Sequence, residues 1–133
     1  MTENLTDLNI LVVEDEFLIA QTIAGSMEAA QAAEVETAES LAQAHVILSE
    51  KWFDVAVLDI RLIDGDSWDL ASTLASRGVS IVIYSGHIRA ELEKKVPSAV
   101  FLPKPATPNQ LVEAVVRARS MERSIEFAEL TEA

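Results

Sequence analysis

Four short apolar runs, each stopped by polar residues, constrain the fold of this chain most: NILVV at 9–13, DVAVL at 54–58, VSIVIY at 79–84 and AVFL at 99–102. All are rich in β-branched residues, and none alternates cleanly between apolar and polar. That pattern predicts strands covered on both faces, as in a parallel sheet. A fifth, weaker strand is predicted at 34–37 (EVET). Segments with helical spacing lie between the runs. Residues 17–30 place Leu18, Ile19, Thr22, Ile23 and Met27 on or near one face, and residues 40–50 offer Leu41, Ala44, Val46, Ile47 and Leu48 behind Ser40 as N-cap. Residues 67–76 carry Trp68, Leu70 and Leu74 and stop at Arg77-Gly78, and residues 87–95 form a short polar helix. Thr107 caps a last helix with Pro108 in its first position and Leu111, Val112, Val115, Val116 and Ala118 along its apolar stripe. Five β-then-α units imply right-handed crossovers and an α/β, doubly wound parallel sheet with helices on both faces.

With 133 residues, half of them apolar, the chain is long enough for one core and short for two. It has no cysteine, which removes disulfides, thiolate metal sites and a Cys nucleophile. The opening MTENLTDLNI lacks a basic region followed by an apolar one, and no apolar stretch approaches membrane-spanning length, so a cytoplasmic protein without a membrane partner is expected. The formal charge of −12 comes from 22 acidic and 10 basic residues, the latter scattered except at Lys94-Lys95. Such a surface repels phosphate backbones and argues against nucleic acid as a partner.

In open parallel sheets, function sits beyond the carboxyl ends of the strands. Here those ends carry Glu14, Asp15 and Glu16, then Asp59, then Ser85 and Gly86, and finally Pro103, Lys104 and Pro105. Each has an ordinary local explanation: Asp15 or Glu16 as a helix cap, Ser85-Gly86 as a turn, Lys104 as a loop residue. Together they converge on one edge. Carboxylates gathered around Glu14, Asp15 and Asp59 raise each other's pKa unless a cation enters, and an oxygen-only donor set suits Mg²⁺ better than zinc. A carboxylate beside Mg²⁺, with a lysine and a hydroxyl nearby, suits phosphoryl transfer with an Asp as nucleophile.

The sequence resembles the receiver domain of two-component response regulators over roughly residues 8–119. ILVVEDE is similar to its acidic-pair segment, VAVLDIRL to its phosphoacceptor strand, IVIYSG to its switch-hydroxyl strand and FLPKP to its lysine segment. The resemblance implies a flavodoxin-like receiver fold with strand order 2-1-3-4-5. It implies that Asp59 is the phosphorylated aspartate, that Glu14, Asp15, Asp59 and the Arg61 backbone carbonyl hold Mg²⁺, and that Ser85 and Lys104 bind the phosphoryl group. Phe101 matches the aromatic switch position, and the Lys104-Pro105 bond matches one that is often cis. Arg61 and His87, each two residues past a signature residue, match places that flank the hydrolytic water and are expected to set the lifetime of the phosphorylated form.

The implied partners are a histidine kinase or phosphotransfer protein and a downstream protein target. The contact face is that of the fourth helix, fifth strand and fifth helix, which also implies a homodimer interface. Three positions depart from the common pattern: Glu14 in place of an aspartate, Arg61-Leu62 in place of a Met-Pro turn, and Phe101 without a tyrosine hydroxyl. Residues 1–120 are expected to form the receiver and 121–133 a helical extension or tail, with no linker to an output domain. Ile125, Phe127 and Leu130 in that tail have no evident core position. A phosphatase of haloacid-dehalogenase type also uses an Asp nucleophile and Mg²⁺, but needs a second aspartate where Arg61 stands. A flavin or nucleotide binder would need a Gly-rich loop where EDE stands. A receiver used unphosphorylated as a docking module is the remaining alternative. His45 has no second metal ligand near it in sequence, and Trp52 and Trp68 are expected to pack at a helix end and a helix start.

Overall fold

A computed structural model describes residues 4–86 and 94–131. The elements run β1 (Asn9–Val13), α1 (Phe17–Ala29), β2 (Glu34–Ala38), α2 (Leu41–Glu50), β3 (Val55–Leu58), β4 (Arg61–Leu62), β5 (Gly65–Asp66), α3 (Trp68–Ser76), β6 (Ser80–Ser85), β7 (Val100–Pro103) and a C-terminal helix, Pro108–Thr131. Five strands form a parallel sheet in the order β2-β1-β3-β6-β7, while β4 and β5 pair only with each other as an antiparallel hairpin. With that hairpin set aside, the order is the expected 2-1-3-4-5 of a flavodoxin-like receiver. The polar helix expected at 87–95 falls largely outside the described residues.

The apolar runs are continuous because both sheet faces are covered. Leu11, Val13, Ala56, Leu58, Ile81 and Ile83 point into a cluster with Ala44, Trp68, Leu70 and Leu74 of α2 and α3. Their neighbours Ile10, Val12, Val55, Val57, Val82 and Tyr84 point into a second cluster with Ile23 and Met27 of α1 and Leu111, Val115 and Ala118 of the C-terminal helix. At about 1.5–3 kcal/mol for each fully buried aliphatic side chain, these two layers dominate the favourable side of folding.

Two helix starts are closed by reciprocal side-chain bonds. Ser40 Oγ accepts from the Gln43 amide while Gln43 Oε1 accepts from the Glu39 amide; Thr107 Oγ1 accepts from the Gln110 amide while Gln110 Oε1 accepts from the Thr107 amide. The start of α1 differs. Its N-cap, Glu16, makes no side-chain cap bond, and Glu16 instead donates its amide to Glu14 Oε2 at 3.3 Å.

Three expectations of packing are corrected. Leu18 is 77% exposed, because the buried side of α1 runs through Ala20, Ile23, Ala24 and Met27 and Leu18 lies opposite it. Val46 is exposed for the same reason on α2, where Ala44 alone is fully buried. Trp52, unlike the buried Trp68, is exposed just past the C-cap of α2, outside both core clusters of the described residues. One core position is imperfect in another way: the Ser80 hydroxyl is buried with no hydrogen-bond partner among the described residues. Ser80→Ala is therefore expected to raise unfolding stability by about 1 kcal/mol in a denaturant titration, since it removes an unpaired buried polar group without opening a large cavity.

Candidate functional site

The ladder of the sheet brings three carboxyl groups together. Glu14 follows β1, and its amide donates to Ala38 O at 2.9 Å; Asp59 follows β3, and its amide donates to Val13 O at 3.0 Å. Both residues thus leave the sheet under backbone control. Carboxyl oxygens of Glu14, Asp15 and Asp59 all lie within 4.8 Å of one another. Asp15 is exposed, Asp59 is partly buried, and Glu14 is only 2% exposed.

Lys104 reaches this cluster from the far edge of the sheet. Its amide donates to Ser85 O at 3.0 Å, and the next bond, Lys104-Pro105, is cis as expected. Lys104 Nζ lies 2.5 Å from Glu14 Oε1 and 3.0 Å from Asp59 Oδ2. One ammonium pairs with two of the three clustered carboxyl groups, so negative charge is left over for a cation. Burial pushes Glu14 up to about 7; the bond to Lys104 opposes that shift and the charge of Asp59 adds to it. Burial works against the charge of Lys104, yet its bonds to Glu14 and Asp59 prevail and hold it above the ordinary lysine value.

The other expected residues are placed as follows. Ser85 ends β6 and is fully buried. Arg61 opens the β4–β5 hairpin, two residues after Asp59, with its side chain exposed. Phe101 is half-buried on β7, its ring 6.4 Å from that of Trp68 and tilted by 35°. His87 lies outside the described residues. His45 is exposed on α2, where it helps line a groove against α3.

Two supporting residues escaped sequence reasoning. Ser67 is fully buried and donates its hydroxyl to the Asp59 carbonyl at 2.6 Å, while its amide donates to Ile60 O at 2.9 Å. A serine before a helix reads as an N-cap, but this one makes no cap bond because its hydroxyl is turned toward the end of β3. Ser67→Ala is expected to cost about 1 kcal/mol in denaturant unfolding and to speed amide exchange around Asp59, measured by hydrogen exchange. Asp64 accepts from the Leu41 and Ala42 amides at 2.9 and 3.0 Å, tying the hairpin to the start of α2. These bonds hold the Asp64 carboxyl below its ordinary range. Gly65 beside it has φ +139°, and a Cβ there would meet Leu41 Cδ1 at 3.3 Å, so the hairpin needs glycine.

Comparison with known proteins agrees with this geometry. The family described as the response regulator receiver domain matches residues 10–116. The photosynthetic apparatus regulatory protein RegA of Cereibacter sphaeroides is 30% identical over 115 residues, which cover 83% of this chain and 62% of RegA. The alginate biosynthesis transcriptional regulatory protein AlgB of Pseudomonas putida is 31% identical over 107 residues, covering 77% of this chain and 24% of AlgB. The chain therefore spans less than two thirds of either relative. A response regulator receiver protein from Sinorhizobium medicae superposes with a TM-score of 0.78 at 28% identity, covering 87% of this chain and 97% of the other. The acidic cluster with its lysine, the five-stranded sheet that assembles them and the match over residues 10–116 place this chain in the response regulator receiver family.

Proposed function

We propose that the protein accepts a phosphoryl group on Asp59 from a histidine kinase or a phosphotransfer protein, with Mg²⁺ as cofactor. The observation that carries this reading is the ammonium of Lys104 3.0 Å from Asp59 Oδ2 within a cluster of three carboxyl groups. The donor set fits the ion: it is oxygen-only and holds more negative charge than Lys104 offsets. Glu14, Asp15, Asp59 and the Arg61 carbonyl would hold Mg²⁺, which supplies positive charge against the phosphoryl oxygens.

In the transfer step, an Asp59 carboxylate oxygen bonds to phosphorus as the bond from phosphorus to the donor's imidazole nitrogen breaks. The electron pair stays on that nitrogen, and an acyl phosphate is formed. Lys104 neutralises one phosphoryl oxygen and the Ser85 hydroxyl hydrogen-bonds another. Those two contacts favour one of two arrangements of the end of β6 at Ser85, and Phe101 on β7 follows it. The output is a changed protein-binding face that includes β7 and the C-terminal helix, open to a downstream protein or to a second copy; the fourth helix expected to complete it lies largely outside the described residues. A protein donor is supported by apolar side chains on the segments that leave β1 and β3: Phe17, Leu18 and Ile63, the last 83% exposed.

In this reading residues 1–120 are the receiver, 121–133 are a helical extension or tail, and the protein works in the cytoplasm as a signalling component. With Arg61 where a phosphatase would need its second aspartate, the only chemistry assigned is self-catalysed transfer and dephosphorylation. Arg61 and His87 set the lifetime of the phosphorylated form. Dephosphorylation rates of Arg61→Ala and His87→Ala equal to that of the parent would remove that role. The reading as a whole is tested by incubating parent and Asp59→Asn with acetyl phosphate and Mg²⁺ and weighing the intact proteins. The parent should gain one phosphoryl group and the variant none; a gain that persists in Asp59→Asn would move the acceptor elsewhere.

A further inference from the structure

The loop that carries Lys104 is held at both ends by consecutive residues of β6. At one end the Lys104 amide donates to the Ser85 carbonyl; at the other, the Ala106 amide donates to the Tyr84 hydroxyl oxygen at 3.0 Å. The Tyr84 ring is buried in the cluster with Val82, Val100 and Leu111, so packing fixes it. Lys104 Nζ lies 5.6 Å from the centroid of that ring, within reach of cation–ring attraction. Tyr84 and Ser85 are neighbours on a strand, so their side chains emerge on opposite faces. Any effect of Tyr84 on the acidic cluster therefore runs through the loop and the lysine.

A lysine held at its tip between Glu14 and Asp59 gives up much rotational freedom, whereas a buried aromatic ring has little left to lose. We infer that Tyr84 is a positioning residue for Lys104: its hydroxyl anchors the loop at Ala106, and its ring face seats the ammonium where it meets Glu14 and Asp59. Its consequence for phosphorylation rests on Asp59 being the phosphoacceptor. The positioning itself does not.

Tyr84→Phe removes the hydroxyl and keeps the ring, so it separates the two contacts. The first measurement is the order parameter of the Lys104 ε-carbon by NMR in the unmodified protein, which reports motion of the side chain directly. It should fall in Tyr84→Phe; an unchanged value would overturn the inference. The second is a double-mutant cycle with Lys104→Met, read as the rate of phosphorylation by acetyl phosphate. Tyr84→Phe should slow the parent by about fivefold, as the loss of one hydrogen bond allows, and leave the Lys104→Met rate unchanged. Equal slowing in both backgrounds would mark a general structural defect and overturn the inference. If the parent takes up no phosphoryl group, the phosphoacceptor reading fails, and the order parameter alone decides the role of Tyr84.

Discussion

Replacing Lys104 by methionine is expected to slow phosphorylation of Asp59 by small phosphodonors by about 10²–10³-fold, the loss seen when one pre-positioned electrostatic contact is removed from a reacting centre. Lys104 is the cation seen within hydrogen-bond reach of Asp59 among the described residues, at 3.0 Å. It is held there from two sides, by the hydrogen bond from its backbone N–H to the Ser85 carbonyl and by its pairing with Glu14. Methionine keeps much of the stem's packing and removes the charge. It also leaves Glu14 without its counter-ion, which favours the protonated form of a carboxyl already displaced upward by burial. A time course by intact mass, with Mg²⁺ at saturation, provides the check. A rate within about twofold of the parent would show that Lys104 is a structural counter-ion only.

Glu14 makes stability depend on pH in a direction opposite to the usual carboxylate. Its pKa in the folded protein is about 7, raised above the ordinary value of 4.5, so over that interval the folded state binds more protons than the unfolded one. Stability attributable to Glu14 therefore falls as pH rises through this window and is recovered as pH drops below it. The size of the effect is up to about 3 kcal/mol. Without metal, Glu14→Gln should be more stable than the parent by that order at pH 8 and equal to it near pH 4. Saturating Mg²⁺ should shrink the difference, because a cation offsets the cost of ionising Glu14. Denaturant titrations of both proteins at several pH values measure it; parallel pH profiles would contradict the burial of an ionisable Glu14.

The strand ends were legible in the sequence because their chemistry depends on residue type at positions that the sheet alone aligns. Glu14, Asp59 and Ser85 directly follow an apolar run and Lys104 comes one proline after another, and parallel pairing then delivers them to one edge. Strand boundaries shifted by a residue or so; β6, for instance, is Ser80–Ser85 where 79–84 is expected. What sequence could not give was the direction in which small polar residues turn. Ser67 has the local signature of a helix cap and spends its hydroxyl on Asp59, eight residues back. Asp64 reads as a turn residue, yet it caps α2 from 22 and 23 residues away. Tyr84 reads as one more apolar strand residue until Ala106 comes to lie against its hydroxyl. Leu18, Val46 and Trp52 are exposed because helix register and the depth of the layers decided their fate, and local hydrophobicity carries neither.

Asp59, and no other group in the cluster, is the proposed site of the phosphoryl bond. Phosphorylating the protein with acetyl phosphate and Mg²⁺, reducing the acyl phosphate with borohydride and mapping the peptides by mass spectrometry reads out that atom directly, since reduction converts a phosphorylated aspartate to homoserine. Homoserine at position 59 alone is the predicted result; reduction products at Glu14 or Asp15, or phosphate retained on His45 or His87 with Asp59 intact, would contradict it.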